Sequence, residues 1–226
     1  MKQQLARGLV TMLMCLGTAP QACAQDGSGI YAGALSGLAT LSADARTSTQ
    51  ARRAEVALYK PENGPTLNLF AGLHLRRYFS VQANYVWNRN DLTLFSSLVS
   101  KDGNAFHEQA RASSQHAVIA DALLYFRPQG DGVRPYLSTG VGLVRFESEA
   151  AGSATNPLAE PTGDIASTKI ALRVAVGIDL ALGDAWSFRY SFSETISGNP
   201  ISASLMPAGE RNLANFQNLF GFVRRF

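Results

Sequence analysis

A long alternating segment in the second half of the chain most constrains its fold. Apolar residues occupy every second position from Ile170 to Leu182, and the positions between them are small or charged, as at Arg173 and Asp179. A period of two is that of a β-strand, whereas a helix would spread these apolar residues around its circumference. The segment also exceeds the roughly five or six residues of a typical globular strand. It therefore predicts a long strand with one apolar face.

The same alternation recurs along the chain and predicts eight strands in total. No run of eighteen apolar residues occurs after the first thirty residues, which argues against membrane-spanning helices. The predicted strands cover about residues 30–41, 67–76, 81–88, 117–126, 136–143, 169–182, 186–193 and 213–226.

The connections between these strands alternate between short and long. Short turns are predicted near residues 77, 130 and 184, while the other connections each have about twenty residues: 43–65, 91–113, 147–167 and 194–212. Four such loops would be unusual in a soluble sandwich. They are typical of a bacterial outer-membrane barrel with short periplasmic turns and long external loops. We therefore expect an all-β fold, an eight-stranded antiparallel up-and-down transmembrane β-barrel.

This placement also explains the composition. Only 16% of the residues are charged, below the roughly 25% of ordinary soluble domains, because the outer face would contact lipid. A sheet enters lipid only when its edges are closed. A soluble barrel such as a lipocalin is the alternative, but it would bury the apolar face and expose the polar one.

The amino terminus has the features of a secretory signal peptide. Lys2 and Arg7 precede an apolar stretch that is followed by the small residues Ala22-Cys23-Ala24. Residues 1–24 are predicted to be the signal and 25–226 the barrel domain. A short anchor helix and lipidation at Cys23 are alternatives. Cleavage removes two of the 20 basic residues and none of the 17 acidic ones, so the net charge falls from +3 to +1.

Aromatic and basic residues gather near the short turns. They predict an aromatic girdle and a ring of arginines at the periplasmic headgroups, where basic residues meet lipid phosphates. The predicted girdle is Tyr78, Phe79, Phe126, Tyr136, Trp186, Phe188, Phe222 and Phe226, and the ring is Arg76, Arg77, Arg127, Arg134, Arg224 and Arg225.

Three sequence features carry a family resemblance. The opening Gly29-Ile30-Tyr31-Ala32-Gly33, the segment from Arg134 to Gly142 and the terminal Phe226 resemble the small eight-stranded OmpA/OmpX-type outer-membrane β-barrel family over essentially the whole mature chain. The resemblance implies that Phe226, with Phe222 and Phe220, forms the signal read by the barrel assembly machinery. Arg224 departs from the pattern, because a hydrophobic residue or Tyr is commoner there.

Polar residues on the predicted inward faces form a candidate lumen network. An eight-stranded barrel is just wide enough to be filled by side chains. Asp179 and Arg189 are expected to pair across a hairpin, and His74 to lie near Ser80 or Gln82. The network either fills the lumen or forms a narrow ion path. Its members are His74, Asn84, Asp121, Lys169, Arg173, Asp179 and Arg189.

Catalysis has weak support in the sequence. Barrels that deacylate lipid A carry a His-x-Ser pair on a late strand, but Ser191 stands at the position of the histidine in Tyr190-Ser191-Phe192-Ser193-Glu194. His107 or His116 acting with Ser193 and Glu194 is the alternative. We expect no enzyme activity, no cofactor and no metal.

The third external loop is acidic, with Glu147, Glu149, Glu160 and Asp164. These carboxylates are either simply hydrated or hold a divalent cation shared with lipopolysaccharide. We expect a non-enzymatic structural or surface-interaction role through the four loops, in the outer membrane. A narrow ion or small-solute channel and a lipid A-modifying enzyme are the alternatives.

The partners expected for such a protein are outer-membrane lipids, lipopolysaccharide, the barrel assembly machinery and an extracellular ligand. Nucleic acid is not expected, because the mature chain carries a single excess positive charge. The barrel is expected to be a monomer.

Overall fold

The computed structural model describes residues 29–43, 55–61, 63–100, 103–129, 132–151, 164–199 and 212–226. None of the residues in these ranges forms a helix long and apolar enough to cross a membrane. The predicted signal peptide, residues 1–24, lies outside them. The strands are β1 Gly29–Ala43, β2 Glu55–Pro61, β3 Asn63–Arg76, β4 Phe79–Arg89, β5 Leu92–Ser100, β6 Gly103–Tyr125, β7 Val133–Ala150, β8 Ile165–Ala181, β9 Trp186–Gly198 and β10 Asn212–Arg225.

Eight of these strands close into an antiparallel barrel. Their order around the wall is β1, β3, β4, β6, β7, β8, β9 and β10. The barrel closes where β1 pairs with β10, in a register that runs from Tyr31 opposite Arg225 to Ala43 opposite Leu213. The eight-stranded prediction is confirmed, and every barrel strand has a hydrogen-bonded neighbour on both sides.

The other two strands extend the sheet beyond one end of the barrel. β5 pairs with β6 from Arg111 back to Gly103, and β2 pairs with β5. We call β2, β5 and residues 103–111 of β6 the surface sheet. The prediction of a long loop over residues 91–113 is therefore wrong for most of that range. Apolar residues occur at both odd and even positions from Leu92 to Val99, so no period of two marked β5.

The two faces of the wall differ as the alternation predicted. The outer face carries exposed apolar side chains, such as Val118, Ile170 and Leu172, which are 63%, 69% and 63% exposed. The inner face buries polar residues such as Asn84 and Arg173. This arrangement is the reverse of that in a soluble lipocalin, and it fits a wall surrounded by lipid.

Glycines allow large inward side chains to fit into the narrow lumen. Tyr31 lies directly opposite Gly72 on the neighbouring strand, and Tyr136 lies opposite Gly177. A Cβ atom added to either glycine would collide with the ring and hydroxyl of that tyrosine. Each tyrosine thus occupies the space that a side chain on the adjacent strand would take, as expected for an interior that alternates small and large residues.

Three residues predicted to face the membrane at the short-turn end point inward instead, and one of them is Arg225, which lies opposite the buried Tyr31 on β1. Tyr136 and Arg134 are each only 4% exposed, because the even-numbered positions of β7 face the lumen down to this end. Arg224 does lie on the outer surface, with its guanidinium carbon 5.7 Å from the Trp186 ring centre and 5.0 Å from that of Phe226. The outer girdle is formed by Tyr78, Phe79, Phe126, Trp186, Phe222 and Phe226, all exposed.

Enlarging one of these lumen glycines should destabilise the barrel. We expect Gly177→Leu to lower the free energy of unfolding by about 1–3 kcal/mol, because the new side chain overpacks the site held by Tyr136. Ala120→Leu adds a bulky group to the exposed outer face of β6 and should have little effect. The measurement is urea unfolding of both variants in neutral detergent micelles. Equal midpoints for the two variants would contradict the packing of Tyr136 against Gly177.

Candidate functional site

The barrel interior contains a buried ion pair between β8 and β9. Asp179 lies directly opposite Arg189, and Arg189 Nε and Nη2 donate to Asp179 Oδ1 and Oδ2 over 2.6 and 2.8 Å. Arg189 Nη1 also donates to Gln82 Oε1 over 2.8 Å, and Nη2 to the Tyr125 hydroxyl over 2.9 Å. This arginine crosses the lumen and ties β9 to β4, β6 and β8.

A second buried ion pair lies nearer the long-loop end. Arg173 Nη1 is 3.3 Å from Asp121 Oδ2, and both side chains are 3% exposed. Asn84 Nδ2 donates to the same carboxylate oxygen over 3.1 Å, and Gln82 Nε2 donates to Asn84 Oδ1 over 2.6 Å. Gln82 and Asn84 therefore join the two ion pairs into one network across the lumen.

His74 lies at the short-turn side of this network. Its Nδ1 is 2.6 Å from Ser80 Oγ, the residue opposite it on β4. The Tyr31 ring stacks on the imidazole at 4.5 Å, and the Tyr31 hydroxyl donates to Gln82 Oε1 over 3.1 Å. Burial and stacking fix the ring in place as part of the lumen filling.

Lys169 does not join the network, although the sequence grouped it with Arg173. It is exposed, whereas Arg173 on the same strand is buried. Lys169 shares the inward parity of β8, but it lies four residues closer to the long-loop end, where the side chain reaches solvent. Within the described residues, no hydrogen bond or ion pair joins Lys169 to the two buried pairs.

The sequence missed a further polar layer near the long-loop end of the lumen. Asn215 Nδ2 donates to Asn88 Oδ1 and Gln115 Oε1 over 3.0 and 2.9 Å, and Asn90 Nδ2 donates to the backbone oxygen of Ala39 over 2.9 Å. The inward parity of Asn88, Gln115 and Asn215 was the available signal, but it does not reveal which amides meet across the lumen.

Arg111 forms a further inward layer in this direction. It is buried and donates to Ser148 through both Nε, over 2.9 Å to the hydroxyl, and Nη2, over 2.8 Å to the backbone oxygen. The sequence predicts a loop over residues 91–113, whereas Arg111 is buried between β6 and β7.

Apolar side chains fill the space between the polar layers. One cluster packs Tyr31, Leu35, Phe70, Leu219 and Val223 around the short-turn half of the lumen. A second cluster lies farther along the barrel and is formed by Val86, Ala117, Ile119, Val144 and Ala171. Together the two clusters and the polar layers form a packed core among the described residues.

The candidate catalytic residues lie apart. Ser193 is fully buried on the inner face, whereas Glu194, its neighbour along β9, points to the outer face. His116 Nδ1 is 2.8 Å from the hydroxyl of the exposed Tyr85. Side chains on opposite sides of the wall cannot form a Ser-His-Glu relay. The side chain of His107 lies outside the described residues.

Three acidic residues of the third loop lie at the facing ends of β7 and β8, where Ser148 pairs with Ile165. Glu147 and Glu149 belong to β7, and Asp164 directly precedes β8. Glu147 Oε1 accepts from Arg145 Nε over 2.6 Å on the outer surface, while Glu160 lies outside the described residues. Within the described ranges, no group of three or more His, Cys, Asp or Glu side chains is placed to hold a metal ion.

The carboxyl-terminal aromatics occupy one outer stripe of β10. Phe220, Phe222 and Phe226 are all more than half exposed, and β10 is the strand that closes the barrel against β1. The Phe222 and Phe188 rings meet edge to face at 5.9 Å. The three phenylalanines that the resemblance links to assembly thus share the lipid-facing side of the closing strand.

Comparisons with known proteins agree with this architecture. The family model described as "Outer membrane protein beta-barrel domain" matches residues 8–226. The crystal structure of Neisserial surface protein A is similar to the chain with a TM-score of 0.54 and 16% identity, covering 89% of this chain and 100% of that one. OprG from Pseudomonas aeruginosa is similar with a TM-score of 0.50 and 12% identity, covering 89% and 97%. No curated protein sequence matches the chain.

Breaking the inner ion pair should be costly. We expect Arg189→Leu to lower the free energy of unfolding by about 3–5 kcal/mol, because it leaves Asp179 buried without its cation. Arg145→Gln breaks a pair whose side chains are 58% and 43% exposed, and it should cost at most about 1 kcal/mol.

Urea unfolding of the two variants tests this difference, and replacing both Asp179 and Arg189 with leucine should recover part of the loss. If Arg189→Leu were as stable as Arg145→Gln, the network would not be what holds the lumen together.

Proposed function

Because the chain belongs to the outer membrane protein beta-barrel domain family, we propose that it is a non-enzymatic outer-membrane protein that presents a surface-interaction platform at its long-loop end. Family membership implies the bacterial outer membrane as its location. The observation that carries the proposal is the surface sheet, which continues the barrel wall beyond the length needed to cross a membrane.

The length of β6 supports this role. It has 23 residues, whereas a transmembrane strand needs only about 9–11. Its residues 103–111 pair with β5, and its residues 114–124 pair with β4 in the barrel wall. A sheet built on a barrel strand offers an ordered surface to partners, and in the proposed orientation this surface faces the exterior.

The filled lumen also supports a structural and surface role over a channel. Ile119, Leu123, Arg189 and Leu219 are each no more than 1% exposed, and the buried ion pairs occupy the space between such residues. Lipids would contact the apolar outer band of the barrel, and lipopolysaccharide would contact its long-loop end. The assembly machinery would contact the stripe of phenylalanines on β10 that ends at Phe226.

Cysteine labelling tests the orientation and the predicted signal cleavage. Glu149 lies at the long-loop end and Asp184 in the short turn between β8 and β9, and both are exposed. We expect Glu149→Cys to react with a membrane-impermeant maleimide on intact cells, and Asp184→Cys to react only after lysis. The unmodified protein should not react at all, because cleavage after Ala24 removes Cys15 and Cys23.

If only Asp184→Cys reacted on intact cells, the barrel would have the opposite orientation to the one proposed. Reaction of the unmodified protein after lysis would contradict cleavage after Ala24.

Conductance measurements test the channel alternative. Purified full-length protein in a planar bilayer should give no steady ion current above that of an empty bilayer, because packed side chains fill the lumen. Arg145→Gln, which changes only an exposed pair, serves as the control. A reproducible current from the unmodified protein would favour the channel over the surface platform.

A further inference from the structure

The short-turn end of the lumen contains a pocket with more positive than negative charge. Its lining includes Arg134, Arg189 and Arg225, together with His74 and a single acidic residue, Asp179. One carboxylate cannot balance three guanidinium groups. The pocket therefore has the charge expected of an anion site.

The strand register explains why this excess is concentrated on Arg134. Arg134 on β7 lies opposite Asp179 on β8, which in turn lies opposite Arg189 on β9. Both carboxylate oxygens of Asp179 accept from Arg189, over 2.6 and 2.8 Å, and Oδ2 also accepts from the Tyr125 hydroxyl over 3.3 Å. No ion pair joins Arg134 to an acidic group in the described part of the chain.

Arg134 is buried with donors unused. It is 4% exposed, and neither its Nε nor its Nη2 makes a hydrogen bond within the described residues. Its guanidinium carbon lies 3.9 Å from the centre of the Tyr125 ring. A cation–π contact satisfies the face of the guanidinium but leaves its in-plane N–H donors unpaired. A buried charge in this state favours binding of a counter-ion.

Arg225 adds a second donor to the same pocket. Its Nη2 donates to the backbone oxygen of Gly183 over 3.0 Å, which anchors the side chain to the turn between β8 and β9. Its Nε is buried and makes no hydrogen bond within the described residues. The pocket is thus lined by the buried Arg134 and by Arg225, which is held at its rim.

We propose that this pocket binds an oxyanion of the phosphate class. Nε and Nη2 are adjacent donors on one edge of the guanidinium, and this edge matches two oxygens of a phosphate group in a bidentate contact. Arg134 supplies that edge and Arg225 supplies a further donor. The phosphate comes either from free inorganic phosphate or from a lipid headgroup at the same end of the barrel. This site is independent of the surface platform at the opposite end.

Calorimetry of the full chain in maltoside micelles tests the site, because this detergent carries no phosphate. Inorganic phosphate is titrated at constant ionic strength against a chloride background. We expect saturable binding that Arg134→Gln weakens about tenfold or more, the loss typical of a charged hydrogen-bonding group. Arg145→Gln is the control, because Arg145 is an exposed arginine on the outer surface of β7 and does not line the pocket; it should bind as the unmodified chain does.

A second arm adds phosphatidylglycerol to the micelles in place of inorganic phosphate. Saturation in this arm alone assigns the site to a lipid headgroup, and saturation with inorganic phosphate assigns it to the free ion. Folding of each variant is checked by the mobility shift between unboiled and boiled samples. Arg225→Gln, which should weaken binding less, tests the same pocket if Arg134→Gln does not fold. Absence of saturation in both arms, or equal affinity in Arg134→Gln and the unmodified chain, overturns the proposal.

Discussion

The pairing of β1 with β10 is the constraint on which the rest of the structure depends. A sheet surrounded by lipid must leave no backbone donor or acceptor exposed at an edge, and this seam closes it through thirteen residue pairs. Closure with eight strands in turn fixes a narrow lumen. Every inward position then has to fit against its neighbours, which is why tyrosines lie over Gly72 and Gly177 and why polar side chains bond directly to one another.

Much of the barrel could be predicted because lipid and lumen impose opposite demands on alternate residues. The run from Ile170 to Leu182 shows both demands at once, and it predicted the outer face, the inner face and the partnership of Asp179 with the residue across the hairpin. β5 had no such signature. β5 belongs to the surface sheet and not to the barrel wall, so lipid does not select for apolar residues at every second position. Its sequence therefore resembles that of a loop.

The interior contacts between distant strands were less accessible from the sequence. Parity shows that Gln82 and Arg189 both point inward, but their 2.8 Å hydrogen bond depends on how far each strand is shifted relative to its neighbours. The same limit applies to Arg134, whose position beside a short turn suggested a headgroup contact. Its parity on β7, shared with Tyr136 and Ser138, was the better guide, because a strand keeps its facing to its last paired residue.

The continuity of β6 has a mechanical consequence. The surface sheet is joined to the barrel by an unbroken strand rather than by a flexible connection, since residues 103–111 and the wall segment belong to one element. Such a sheet cannot swivel freely about the barrel axis, and a partner that binds it would be held at a fixed angle to the membrane plane. A force applied to the far end of the surface sheet would be transmitted directly to the hydrogen bonds that join β6 to β4 and β7. The barrel itself would therefore carry the load of an attached partner.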